Sequence, residues 1–198
     1  MTCLALLAPV TALLDQSSTP SDVPDSPDIL HGGWLPHIAR EALALIAEAD
    51  PANAASSFTG NGHTHLLLRH GTEDNTAVYL RLHAAGTPMP GEAADKTVTL
   101  TLAGTHDLEC YRHQGDIDAD HPWYLRTFRP ESIYACHPGT LRTIETSPDG
   151  VQLVVARALI APDGPELAAD NYLGMLTAAQ ALITPAIAGA QTATEVNA

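Results

Sequence analysis

From residue 63 to residue 160 the chain falls into short segments, several of them alternating between apolar and polar positions. They read HTHLLLR (63–69), TAVYLRLH (76–83), TVTLTLA (97–103), HDLECYRH (106–113), WYLRTFR (123–129), SIYACH (132–137), LRTIET (141–146) and VQLVVARALI (151–160). Most are rich in β-branched or aromatic residues, and a period of two is that of a half-buried strand. Turn formers separate them: the stretches 71–75, 86–95, 103–105 and 114–122, then Pro138-Gly139 and Pro148-Asp149-Gly150. Eight such segments with no helical pattern between them predict an all-β fold, one antiparallel sandwich or barrel.

Outside this block the period changes. Ile38, Ala42, Leu45, Ile46 and Ala49 recur at helical spacing, Pro36 suits a first turn, and Pro51 follows the end. Residues 35–49 are therefore predicted as a helix. Residues 166–183 have helical composition and are expected to form a helix across the barrel, with the Ala- and Thr-rich tail from Pro185 fraying. The apolar opening, 1–15, lacks the basic start of a secretory signal and is too short to span a bilayer. It is read as an amphipathic helix on the domain. Residues 16–30, dense in Ser, Pro and Asp, are expected to be a loop or linker. The expectation is a single domain over 1–198: a helical extension (1–62), the barrel (63–162), and a C-terminal helix and tail (163–198).

Composition narrows the function. A chain of 198 residues, 45% apolar, is long enough for one sizeable core. Nine basic against 23 acidic residues give a net charge of −14. That argues against nucleic acid or an anionic membrane as partner, because phosphates are bound mainly through Lys and Arg. Cys3, Cys110 and Cys136 make no disulfide framework and fit reduced, buried thiols in a cytoplasmic protein. The sequence has no serine nucleophile elbow, phosphate loop, dinucleotide fingerprint or C-x-x-C.

The order of elements resembles the cysteine dioxygenase branch of the cupin superfamily. The resemblance covers residues 63–162. It is best in LHAAGTPMPGEAADKTVTLTLAGTHDLECYRH (82–113) and SIYACHPGTLRTIETSPDGVQLVVARALIAP (132–162). It implies a cupin-like jelly-roll barrel with flanking helices. In that family an H-x-H element, often a Glu, and a later His hold iron. Here the matching loop is Pro88-Met89-Pro90-Gly91-Glu92-Ala93, in which Glu92 is the one strong ligating group. The later histidine is matched by Leu141, with Arg142 beside it, and the family's Ser-x-His-x-Tyr by Val155, Arg157 and Leu159. Ordinary thiol dioxygenation is thus not expected. No cofactor is expected, iron being the disfavoured case.

The candidate site falls on the face of 76–83 that carries Tyr79, Arg81 and His83, since Val78, Leu80 and Leu82 supply packing on the other. Tyr79, His83, Glu92 and His137 are the candidate catalytic groups. Arg81, Arg142 and Arg157 are the candidate substrate-binding cations, their planar forks suiting a carboxylate or phosphate. His63-Thr64-His65 is the one H-x-H in the chain; its two rings share a strand face and could reach one ion, but the favoured reading is a surface pair at a strand start. These residues suggest a repurposed cupin enzyme, isomerising or cyclising a small organic molecule without metal, and the composition, rich in Ala, Pro, Thr and Asp and poor in Lys, suggests bacterial specialised metabolism. The alternatives are a non-catalytic binding or accessory cupin, and an iron oxygenase with relocated ligands. The expected partner is a small-molecule substrate; a homodimer is left open.

Overall fold

In the computed structural model, residues 10–12, 14, 34–71, 75–92 and 96–195 are described. The predicted linker 16–30 and most of the opening stretch lie outside them. Residues 10–12 and 14 are helical, and Val10 and Leu14 are buried in the core.

Helix α1 spans Leu35–Glu48 and buries Leu35, Ile38, Ala39, Ala42, Leu45 and Ile46 along one face. A 3-10 turn, Pro51–Ser56, follows, with the Asp50 carboxylate accepting from the Ala52 N–H at 2.8 Å. Among the described residues ten strands come next: β1 (Phe58–Gly60), β2 (His63–Gly71), β3 (Thr76–His83), β4 (Gly91–Glu92), β5 (Thr97–Ala103), β6 (His106–Tyr111), β7 (Tyr124–Phe128), β8 (Ile133–Cys136), β9 (Leu141–Thr146) and β10 (Val151–Ala156). A short helix α2 (Gln114–Asp118) joins β6 to β7, and helix α3 (Ala169–Glu195) closes the described chain.

Two sheets form, ordered β1-β2-β3-β10-β5-β8 and β4-β9-β6-β7. Every pairing is antiparallel, and four are nested: β6 with β7, β5 with β8, β4 with β9, and β3 with β10. The segment is one long hairpin folded over on itself, which is the jelly-roll arrangement. Strands β1 and β2 extend the first sheet beyond it.

The sheets divide the buried residues into two sets. Val78, Leu80 and Leu82 of β3, Val98, Leu100 and Leu102 of β5, and Val151, Leu153 and Val155 of β10 share a core with α1 and α3. From α3, Tyr172, Leu176, Ala179 and Ile183 are buried there, and the Tyr172 hydroxyl donates to the Leu67 carbonyl at 2.6 Å. The opposite faces line the barrel interior, where Leu108, Cys110, Phe128, Tyr134, Cys136 and Ile144 form a smaller cluster. Strands β5 and β10 are buried at every position because helices cover one face and the second sheet the other.

Four differences from the sequence expectation stand out. β1 and β4, of three and two residues, are too short to carry a period. The acidic connection 114–122 contains α2. The strand predicted over 151–160 ends at Ala156. The tail does not fray at Pro185: α3 runs through it to Glu195. Proline removes one helical N–H, but the Ala-rich residues around it favour helix. Gly104 turns β5 into β6 at φ +61°, and a Cβ there would stand 2.6 Å from Gly150 Cα.

Candidate functional site

A cavity of about 690 Å³ opens at one end of the barrel. Its wall is built by strand parity. On β2, His63, His65 and Leu67 alternate inward; on β3 the register sets Arg81 opposite His65 and Tyr79 opposite Leu67. Arg81 then faces Gln152 on β10, which faces Thr101 on β5. From the second sheet, Arg142 and Ile144 of β9 line the same cavity. The inward position on β9 belongs to Arg142 and not to Leu141, because Arg142 pairs with Cys110, an interior residue of β6.

Arg81 is 2% exposed. Its Nε–H donates to His65 Nε2 at 3.2 Å and the Tyr134 hydroxyl is a second side-chain partner of the guanidinium, while Nη1 has no hydrogen-bond partner among the described residues. A buried Nη1 of Arg142 likewise lacks one. Neither guanidinium is paired with a carboxylate among the described residues, an unusual state for a charge as buried as that of Arg81. Burial works against the Arg81 cation and lowers its pKa.

His65 accepts from Arg81 through Nε2, so its neutral ring carries the proton on Nδ1, which has no partner among the described residues. Burial first, then the charges of Arg81, His63 and Arg142, hold its pKa well below 6.5. His63 is brought to about 3 by burial, then Arg81 and Arg142, with a hydrogen bond to the Asn61 backbone acting the other way. The pair is thus buried and neutral, not a surface pair; their exposures are 6% and 3%. The clue in the sequence was parity with Leu67. At the rim, Glu92 and Asp163 are exposed carboxylates, and Asn61 Oδ1 accepts from the Met89 N–H at 2.5 Å.

Of the candidates, Arg81, Arg142 and Glu92 meet at the cavity. Tyr79 stands behind His65, ring centroids 6.0 Å apart, its hydroxyl accepting from the Ile160 N–H at 3.1 Å. His83, at the exposed end of β3, donates from Nδ1 to the Thr146 carbonyl at 2.8 Å and does not line the cavity. His137 is buried outside the lining. Arg157 does not face Arg81 across the barrel. It follows β10, where its guanidinium donates to the Thr76 hydroxyl (3.2 Å) and the Thr11 carbonyl (3.5 Å).

The nested pairing and the cavity at one mouth of the barrel decide the architecture. The fold is cupin-like. No protein-family model matches the chain, and no curated protein does. Among solved structures it is similar to KdgF from Halomonas sp., with 11% identity over 50% of this chain and 82% of that one, TM-score 0.37. It is also similar to a cupin-like protein from Thermotoga maritima, with 12% identity over 62% and 89%, TM-score 0.39. A third is an RmlC-like cupin from Shewanella frigidimarina, with 11% identity over 50% and 80%, TM-score 0.37. At such levels nothing of their ligands or reactions transfers to this chain.

Iron, which a cupin barrel implies, does not fit these residues. No three His, Cys, Asp or Glu side chains among the described residues converge on a point. The His63 and His65 rings meet edge to face at 87°, one of them already accepts from Arg81, and the Arg81 and Arg142 charges bear on both. Such a cluster repels a cation and attracts an anion. No described helix is long and apolar enough to cross a membrane.

Proposed function

We propose that the cupin-like barrel is an enzyme that binds a small organic acid in its cavity and moves a proton on it without a metal, as in isomerisation or cyclisation. The observation that carries this reading is the presence of two guanidiniums without carboxylate partners among the described residues, beside two neutral imidazoles. A carboxylate or enolate oxygen satisfies the free N–H groups of Arg81 and Arg142 and offsets their charge. That offset raises the basicity of His63 and His65 toward the range useful for proton transfer. The His63 imidazole, whose ring does not receive the Arg81 N–H, then takes a proton from the carbon next to a carbonyl, the enolate charge rests against a guanidinium, and the proton returns at another atom. No electron leaves the ligand.

The test is hydrogen exchange in deuterated water. Small 2-oxo and 3-oxo acids are incubated with the chelator-treated protein and the exchange at carbon is followed by NMR. Exchange above the protein-free rate, lost in His63→Asn, supports the reading. Exchange that vanishes with the chelator, or never exceeds the control, sinks it. A second reading, a non-catalytic binding protein, is favoured by the pKa of about 3 at His63, which makes it a weak base. It predicts acids that bind and do not exchange.

A further inference from the structure

The cavity holds more than a carboxylate. At about 690 Å³ it has the size of sites that enclose drug-sized molecules, and the smallest oxo acids fill a minor part of it. Phe58 lines it and is 2% exposed, yet Phe58 belongs to none of the clusters that the described core residues form. Its register partner on β2 is His65, and the two rings stand 4.8 Å apart, 37° from parallel. His63 meets His65 edge to face at 4.7 Å. Phe58, His65 and His63 thus give the cavity an aromatic wall, beside the Arg81 guanidinium that donates to His65. Ile144 and Ile160 add apolar surface to the lining.

A buried aromatic side chain gains its stability from apolar contact, and ring pairs add to it. A wall that sets such a ring next to two guanidiniums matches a molecule with a flat ring and a carboxylate. A sugar acid of the same size would leave hydroxyls against Phe58 without partners, which is costly. We infer that the ligand is an aryl-substituted oxo acid, its ring against Phe58 and its carboxylate on Arg81 and Arg142. The inference rests on the cavity being a site for an organic acid, and it names the class of that acid. It also suits the proton transfer. In an arylpyruvate the carbon next to the carbonyl bears the ring, so the electron pair left behind spreads into both. Such a carbon yields its proton to a weaker base than an aliphatic one does, and His63 is a weak base. The C–H bond breaks, the proton passes to His63, and the electron pair moves onto the carbonyl oxygen. The proton then returns to that oxygen and leaves the enol.

The test is calorimetry on the full chain with phenylpyruvate, pyruvate and gluconate. The first two share the oxo acid and differ by the ring, while gluconate is close to phenylpyruvate in size and polar throughout. Burial of the ring is expected to make phenylpyruvate bind about tenfold or more tighter than either. In Phe58→Ala that advantage is expected to fall below about threefold. Should Phe58→Ala not fold, NMR of the wild type reads the same contact. The chain has two phenylalanines, and Phe128 does not line the cavity, so the ligand's ring protons should show a nuclear Overhauser effect to Phe58 alone. Phenylpyruvate no tighter than pyruvate or gluconate overturns the inference, as does an advantage that survives Phe58→Ala or a missing contact to Phe58. If pyruvate exchanges its carbon-bound protons while phenylpyruvate neither binds nor exchanges, the aryl class falls and the catalytic reading stands. If phenylpyruvate binds as described and does not exchange above the control, the aryl class stands without catalysis. If none of the acids binds, both fall.

Discussion

Acidification should unfold this protein through its interior histidines. His63 and His106 are each held at a pKa of about 3 against an ordinary 6.5, mainly by burial, and His65 is also well below 6.5. Below pH 6.5 the unfolded chain binds protons at these rings and the folded chain does not. Their neutral burial therefore costs nothing above about pH 7, and stability is lost as the pH falls toward 3. At about pH 5 the loss is about 2 kcal/mol per ring, since each pH unit below 6.5 costs about 1.4 kcal/mol. His63 and His106 together give about 4 kcal/mol, a large part of the 5–15 kcal/mol typical of a domain. Acid also neutralises part of the net charge of −14, which relieves repulsion and acts the other way. The decisive measurement is therefore a difference. Urea unfolding is followed between about pH 4 and 8 for the wild type, His63→Asn and His106→Asn. Each variant should lose about one proton's worth of slope, about 1.4 kcal/mol per pH unit between about pH 4 and 6. Parallel profiles in all three proteins would refute the argument.

Other outcomes can be checked directly. Arg81→Met should abolish binding of small organic acids in calorimetry while changing stability by about 1 kcal/mol or less, because relief of the buried cation's desolvation is offset by the loss of the donor to His65 Nε2. Tyr172→Phe should cost about 1–2 kcal/mol in a urea titration, the Leu67 carbonyl losing its 2.6 Å donor. Gly104→Ala should lower the melting temperature by an amount equivalent to about 2 kcal/mol or more, since the turn needs φ +61° and the methyl meets Gly150 Cα. Elemental analysis of the purified protein should find no stoichiometric iron, and chelation should leave ligand binding unaffected.

Much of the fold was legible because strands β3, β5 and β9 carry their period to their ends: 76–83, 97–103 and 141–146 match the observed bounds. Which face of β3 packs against helices was legible too, from Val78, Leu80 and Leu82. The site was only partly legible. In TVTLTLA the threonines alternate with apolar residues as on a half-exposed strand, a pattern that leaves their environment open, and Thr97, Thr99 and Thr101 are all buried in the barrel. Alternation reports two unlike faces and does not say whether the polar one meets solvent or a chamber. The same ambiguity made His63 and His65 look like surface residues. His83 failed differently: it has the parity of Arg81 but sits at the strand's last position, where the chain leaves the barrel. Arg157 lies one residue beyond β10, so strand parity no longer governs it.

The nested strand pairing has a consequence for how the chain is made. The innermost pair, β6 with β7, closes a short loop, whereas the outermost joins Ala77 to Ala156 and Leu82 to Val151. Strand β10 is also the one that fills the gap between β3 and β5 in the larger sheet. During synthesis β3 and β5 therefore leave the ribosome with facing edges that have no strand to pair with, and stay so until the last strand of the barrel arrives. Folding of this kind is slow, because long loops close before their contacts reward them, and the waiting edges are open to wrong partners. Slow synthesis beyond β5 would lengthen that wait, so the yield of folded protein should depend on elongation speed between β5 and β10 more than on elongation speed elsewhere in the chain.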